Sequence, residues 1–159
     1  WVSGVFAISF WITNAVWSRA KYNIGLSSIL GGTGMCIAVD ILKKYGWEAT
    51  CLTEDMEFTM KSLLEGIPTT WCDNAIVYDE KALTFKQSWN QRMRWTKGFY
   101  QVLFKYGRDL FRTMFKEKRM FVSCYDMIMT LAPATLFTLG TILLNVIILL
   151  CVISIFLVP

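Results

Sequence analysis

Two stretches of the chain repeat apolar residues at helical spacing. In the first, residues 54–65, acidic residues occupy the first turn and Gly66 and Pro68 follow the last turn, where both residue types end helices. Its apolar stripe consists of Met56, Met60, Leu63 and Leu64. The pattern predicts a helix from Glu54 to Glu65.

The second stretch is basic as well as apolar. We predict a helix over Leu83–Trp95, followed by an amphipathic helix in which an apolar and a basic face alternate. The apolar face consists of Phe99, Leu103, Tyr106, Leu110 and Met114, and the basic face of Lys105, Arg108, Arg112 and Lys116. This pattern predicts a helix lying on an anionic membrane surface. A surface helix of a soluble domain is the alternative.

Both ends of the chain are uncharged. Residues 127–159 contain no Lys, Arg, Asp or Glu, and a membrane span needs only about 20 apolar residues. We expect residues 121–132 to lie along the interface, Pro133 to start or kink a helix, and residues 134–158 to form a transmembrane helix, with two short spans as the alternative. Residues 1–17 predict a buried helix ending near Lys21, or else a short span.

Short stretches between these helices have strand character. Residues 35–44 predict a strand that passes into a short helix, and residues 47–53 and 69–78 predict further short strands. Strands that alternate with helices are typical of an α/β sheet, which is the fold class we expect.

Composition and charge narrow the class of protein. The 159 residues are 55% hydrophobic and 18% charged, too apolar for a disordered tail. Residues 81–119 hold 11 basic and 2 acidic side chains just before the apolar end, as the positive-inside rule predicts for a cytosolic segment that meets a membrane. A nucleic-acid binder is the poorer explanation. Histidine is absent and the five cysteines form no C-x-x-C pair, which argues against zinc sites and a disulfide framework.

Three clusters have candidate chemistry. Thr53-Glu54-Asp55 stands at the start of the predicted helix, where an aspartate can act as general base toward a hydroxyl, although acidic first turns are also common for purely structural reasons. Gln91, Arg92 and Arg94 offer a forked cationic clamp for a diphosphate, and the adjacent Trp95 can stack on a sugar ring. Gly31-Gly32-Thr33-Gly34 permits close backbone approach to a bulky ligand, or is a plain turn.

The order of these clusters resembles that in membrane-integrated family 2 glycosyltransferases, which include bacterial cellulose, hyaluronan, chitin-oligosaccharide and poly-N-acetylglucosamine synthases. GGTG, then TED, then Q-x-x-R-W, then a basic amphipathic helix and an apolar segment match the C-terminal part of that catalytic domain and the start of its membrane region. The resemblance implies a partial GT-A nucleotide-diphospho-sugar transferase domain over residues 1–97, an amphipathic interfacial helix over 98–120 and a membrane segment over 121–159.

The resemblance also implies roles for individual residues. Asp55 would be the catalytic base, and the donor diphosphate would meet Gln91, Arg92 and Arg94. The acceptor sugar would meet Glu54, Trp95 and the loop residues Gly32, Thr33 and Gly34. The reaction would be an inverting transfer from a nucleoside-diphosphate sugar, usually UDP-linked, to an acceptor hydroxyl in polysaccharide synthesis. The enzyme would be a multi-pass protein of the cell membrane with a cytosolic catalytic domain.

One family feature is missing from the sequence. The D-x-D pair that holds Mg²⁺ or Mn²⁺ does not occur, so no metal ligand is assigned here, and those ligands are expected upstream of Trp1. The chain therefore looks like an internal fragment, inactive by itself. The expected partners are the nucleotide-sugar donor, a saccharide or lipid acceptor and the lipid bilayer, but no nucleic acid. A glycolipid-forming glycosyltransferase and a non-catalytic membrane scaffold remain alternatives.

Overall fold

A computed structural model describes residues 1–48 and 50–157 of the chain, and in its last helix it describes the side chains of residues 138–154. The described residues form seven α-helices, a π-helical segment over Thr13–Ser18 and a 3-10 turn over Lys118–Met120. The α-helices are α1 Val2–Ile12, α2 Arg19–Asn23, α3 Val39–Tyr45, α4 Glu54–Leu64, α5 Phe85–Lys116, α6 Phe121–Leu131 and α7 Pro133–Leu157.

The prediction of an α/β sheet is wrong for the described residues, because none of them forms a strand. The stretches 47–48, 50–53 and 69–78, predicted as strands, are irregular, and of residues 35–44 only the helical part is confirmed, as part of α3. A strand requires a neighbour that shares a ladder of backbone hydrogen bonds. The extended segments around Ser28 and Thr69 share the Ser28 N–H bond to the Thr69 carbonyl (3.0 Å), but this contact does not extend into a ladder.

The prediction of a helix at the N-terminus is confirmed, but the prediction that this helix is buried is wrong. α1, the π-helical segment and α2 follow one another from Val2 to Asn23. The Thr13 hydroxyl donates to the Ser9 carbonyl, a bond of the kind that competes with the helix ladder. Most of its large apolar side chains are exposed, whereas Phe6 is almost fully buried. The described residues thus cover one narrow stripe of this helix.

The hydrophobic core lies between α4, α5 and α6. α4 begins at Glu54 and ends at Leu64, and Gly66 adopts a positive φ of 74° just beyond it, as its sequence predicted. The innermost side chains of the core are Met60, Val102, Leu110, Cys124 and Met127. Burial of these side chains holds the three helices together.

α5 is one helix of 32 residues that begins with a capping box. Thr84 accepts a hydrogen bond from the Gln87 backbone, and Gln87 Oε1 accepts one from the Thr84 backbone. α5 passes without a break through residues 97 and 98, where we predicted the boundary between the catalytic domain and the interfacial helix. The division of the chain into three parts stays a prediction.

The apolar stripe predicted to face a membrane packs instead against α4 and α6. Leu110 and Met114 are buried in the core, and Phe99, Leu103 and Tyr106 pack around them. A different face of α5 is exposed and aromatic, with Phe104 83%, Phe111 56% and Phe115 64% accessible. The prediction of an amphipathic helix is therefore confirmed, but its apolar face belongs to the protein core and does not face a membrane.

α6 and α7 follow as separate helices, and Pro133 stands at the first position of α7, as expected for proline. Among the helices of the described residues, none combines the length and apolarity needed to cross a bilayer. The predicted transmembrane helix, residues 134–158, includes positions that lie outside the described residues. Along residues 138–154 the side chains of α7 are exposed.

Candidate functional site

The start of α4 rests on the middle of α5 at a glycine. Thr53, the residue before α4, is buried and lies directly against Gly98 of α5. A Cβ atom on Gly98 would lie 2.5 Å from Thr53 Cγ2 and 2.6 Å from its Oγ1. Arg94 precedes Gly98 by one helical turn, about 6 Å along the axis, and thus lies on the same face. This contact brings the acidic turn and the basic motif, which lie 39 residues apart in sequence, into one region.

Asp55, two residues after Thr53, is half-buried. Its Oδ1 accepts a hydrogen bond of 2.7 Å from the Met56 backbone, and the Gly32 backbone lies next to the carboxylate. Burial raises the pKa of Asp55 and the neighbouring Glu54 carboxylate adds to the increase, while the backbone around the carboxylate, Met56 first, opposes it. A carboxylate with a raised pKa accepts a proton more readily, as a general base must.

The glycine loop lies beside Asp55. A Cβ on Gly32 would stand 3.4 Å from Asp55 Oδ2, which is ordinary van der Waals contact, so the loop backbone runs directly past the carboxylate. The Thr33 hydroxyl donates to Asp79 Oδ2 (3.1 Å). Gly34 has a φ of 75° and lies tightly against Val77. The segment around residues 77–79 thus fixes the loop from its other side.

Gln91 and Arg94 line one open groove of about 410 Å³, together with Ala82, Gln87 and Asn90. Residues three apart on a helix share a face, which explains why these two side chains converge. Arg92 lies on another face, where its guanidinium stands over the Phe6 ring at 4.8 Å. The structure therefore brings together two of the three side chains predicted to form the diphosphate clamp.

Trp95 lies between α5 and α1. Its ring makes edge contacts with Phe6 and Phe10, each with ring centroids 6.2 Å apart. The side chain is partly exposed. One edge of the indole is thus held by α1, and its role toward an acceptor sugar stays a prediction.

Glu57, predicted only as one of the acidic residues of the first helical turn, is the centre of a buried network. Its side chain is 2% exposed, and Lys105 Nζ lies 2.6 Å from Oε1. The remaining donors are the backbone N–H groups of Thr50 and Cys51 (both 2.8 Å), the Thr50 hydroxyl (3.0 Å) and the Tyr106 hydroxyl (3.2 Å).

These bonds set the charge state of Glu57. Burial alone would raise its pKa, but the Lys105 ammonium and the bonds from Thr50 and Cys51 outweigh it and lower the pKa to about 2.

The position of Gly98 inside a strongly helical pattern was a usable sequence signal for close packing. No sequence pattern indicated that Glu57 and Lys105, 48 residues apart, would meet.

A divalent cation was expected to bind outside this chain. Across the part of the chain that the structure describes, no three Cys, Asp or Glu side chains lie close enough together to hold a metal ion. The described residues therefore do not fit such a group, and its ligands stay a prediction.

Comparison with known proteins places these features in a family. Residues 2–159 match the description "Glycosyl transferase family group 2". The chain is also 31% identical over 117 residues to the probable glycosyltransferase YdaM of Bacillus subtilis (strain 168). That match covers 73% of this chain and 27% of the relative, so the chain spans about a quarter of the relative's length. No solved structure matches the chain. Because the family match covers almost every residue, this chain belongs to glycosyl transferase family group 2.

Proposed function

We propose that this chain supplies the general base and part of the donor site of an inverting glycosyltransferase. The transferred sugar comes from a UDP-sugar and the acceptor is a hydroxyl of a growing polysaccharide. The observation that supports this most directly is the contact of Thr53 with Gly98, which places the residue just before the acidic turn about one helical turn from Arg94 along α5.

In the proposed reaction, Asp55 takes the proton of the acceptor hydroxyl. The acceptor oxygen then forms a bond to the anomeric carbon of the donor sugar, on the side opposite the diphosphate, and the bond from that carbon to the diphosphate oxygen breaks. Configuration at this carbon is therefore inverted. The half-buried position and raised pKa of Asp55 favour proton uptake.

The departing diphosphate accumulates negative charge, which a guanidinium positioned beside it stabilises. Arg94 and Gln91 of the groove are suited to this task, as charged and neutral donors on one helical face. The glycine loop lies beside Asp55, and Trp95 directly follows Arg94 on α5. Both are our candidates for contact with the acceptor. We assign the metal ligands of the GT-A fold to residues outside this chain.

We place the catalytic region at the cytosolic face of the cell membrane. The support is the exposed face of α5, where Phe104, Phe111 and Phe115 stand beside Arg108 and Arg112. Aromatic side chains flanked by arginines are suited to the headgroup region of an anionic membrane. A fluorophore on Phe104→Cys, in a background without the exposed cysteines, should be quenched by nitroxide lipids in the full-length protein, whereas one on Glu65→Cys should not. Equal quenching at both positions would contradict this placement.

The test of the reaction uses the full-length protein in membranes. Asp55→Asn preserves size and the hydrogen-bond acceptor but removes the base, so transfer from UDP-sugar should fall by about 100-fold or more while UDP still binds. Arg94→Ala should weaken UDP binding, with Lys86→Ala, on the exposed first turn of α5, as the control. Near-normal turnover by Asp55→Asn would refute the base assignment.

Product analysis separates the neighbouring functions. A ladder of long saccharides supports polysaccharide synthesis, whereas a lipid carrying one added sugar would identify a glycolipid-forming enzyme. If UDP-sugar is not consumed under any condition and Asp55→Asn has no effect, the proposal of catalysis is refuted in favour of a scaffold.

A further inference from the structure

Glu57 lies two residues after Asp55 on α4, and therefore about 200° around the helix axis from it. Asp55 contacts Gly32, on the side of the glycine loop. Glu57 contacts Lys105 and Tyr106, on the side of α5. The two carboxylates thus connect the same turn of α4 to different parts of the protein.

The Glu57 carboxylate joins three segments at once. It accepts bonds from the backbone of residues 50 and 51, which lead into α4, and from side chains of α5. The same leading segment is tied to α5 a second time, because the Leu52 N–H donates to Gln101 Oε1 (2.9 Å). Directional bonds of this kind fix the position of α4 along α5, which the flexible methionines of the core do not do.

We propose that Glu57 is a positioning residue, whose contact with Lys105 holds the turn that bears Asp55 at the register on α5 where the base and Arg94 serve the same substrate. The inference rests on the proposed function, since it assumes that Asp55 is the base. Glu57 itself lines neither the groove of Gln91 and Arg94 nor the glycine loop. It acts by fixing the start of α4.

Two features distinguish this role from ordinary core packing. A buried carboxylate is not needed for stability, because apolar residues of similar volume often serve as well or better. In addition, Lys105 remains 43% exposed, so the pair is accessible at one end and binds α4 to α5 through charge and direction rather than through apolar area. Loss of the charge should therefore loosen the register while the apolar core stays in place.

The test uses Glu57→Gln and Lys105→Met in the full-length protein, with Glu65→Gln as the matched control. Glu65 follows the last turn of the same helix and is exposed. In both test variants kcat should fall by about 10- to 100-fold, because a displacement of the base on the order of 1 Å costs that much, while the Kd for UDP stays within about twofold. The double variant should be no slower than the slower single variant, since both remove the same link.

Three outcomes are decisive. Wild-type kcat in Glu57→Gln, with Asp55→Asn inactive, would overturn the positioning role and leave the proposed function intact. An active Asp55→Asn would instead refute the function itself. If Glu57→Gln does not fold, Lys105→Met decides alone, because Lys105 is half-exposed and its loss leaves four of the five bonds to Glu57; unchanged kcat in that variant would likewise overturn the inference.

Discussion

Gly98 is a position at which the substitution of one hydrogen by a methyl group should push two helices apart. In Gly98→Ala the new Cβ would lie 2.5 Å from Thr53 Cγ2, 2.6 Å from Oγ1 and 3.0 Å from Cβ, so α4 must move away from α5. Overpacking of this kind costs about 1–3 kcal/mol, and the better helix propensity of alanine returns about 1 kcal/mol. We expect a net loss of stability of up to about 2 kcal/mol.

Thermal unfolding of the purified protein measures this loss, as a fall in Tm of up to roughly 8 °C. Gly107→Ala is the matched control on the same helix, because its nearest neighbour is the mobile end of Leu103 at 3.1 Å. There the propensity gain of about 1 kcal/mol should prevail and Tm should rise. Thr53→Ala combined with Gly98→Ala should recover most of the loss, since it removes two of the three clashing atoms.

The steric reasoning would be refuted by a Gly98→Ala protein that is as stable as Gly107→Ala. It would also be refuted if Thr53→Ala and Gly98→Ala lowered Tm additively, because additivity means that the two side chains do not compete for the same space.

Three further predictions concern charge. Glu57 has its pKa lowered from 4.5 to about 2, so its contribution to stability is present above pH 4.5 and is lost as pH falls toward 2; acid unfolding of Glu57→Gln should be less steep over that range. The raised pKa of Asp55 has the opposite sign, so Asp55→Asn should raise Tm at pH 7, and this gain should vanish below pH 3.8. Lys21 Nζ and Asp126 Oδ2 form a buried ion pair at 2.6 Å that is not aligned as a hydrogen bond. Lys21→Met should therefore cost about 3–5 kcal/mol in denaturant unfolding, and addition of Asp126→Leu should restore most of it.

Local signals along the chain were enough to identify several elements. The acidic first turn and Gly66 set the bounds of α4, and Pro133 marked the start of α7. Apolar spacing located the amphipathic part of α5 correctly. Each of these depends on neighbours within about four residues, which the sequence displays directly.

Strands and burial depended on distant partners and were predicted less well. The stretches 47–53 and 69–78 have strand composition, but composition does not supply a ladder partner. For the same reason, the stripe from Phe99 to Met114 showed that α5 has an apolar face without showing what covers it. In the structure that cover is α4 and α6.

The sequence by itself determined which residues belong to the candidate site: TED, Q-x-x-R-W and the glycine loop are short motifs whose chemistry resides in residue type and local spacing. Only the tertiary structure decided how they meet, with Thr53 on Gly98, Gly32 on Asp55, Arg92 turned toward Phe6, and Glu57 paired with Lys105. These contacts join residues 23 to 86 positions apart, and the packing of whole helices, rather than any local preference, brings such residues together.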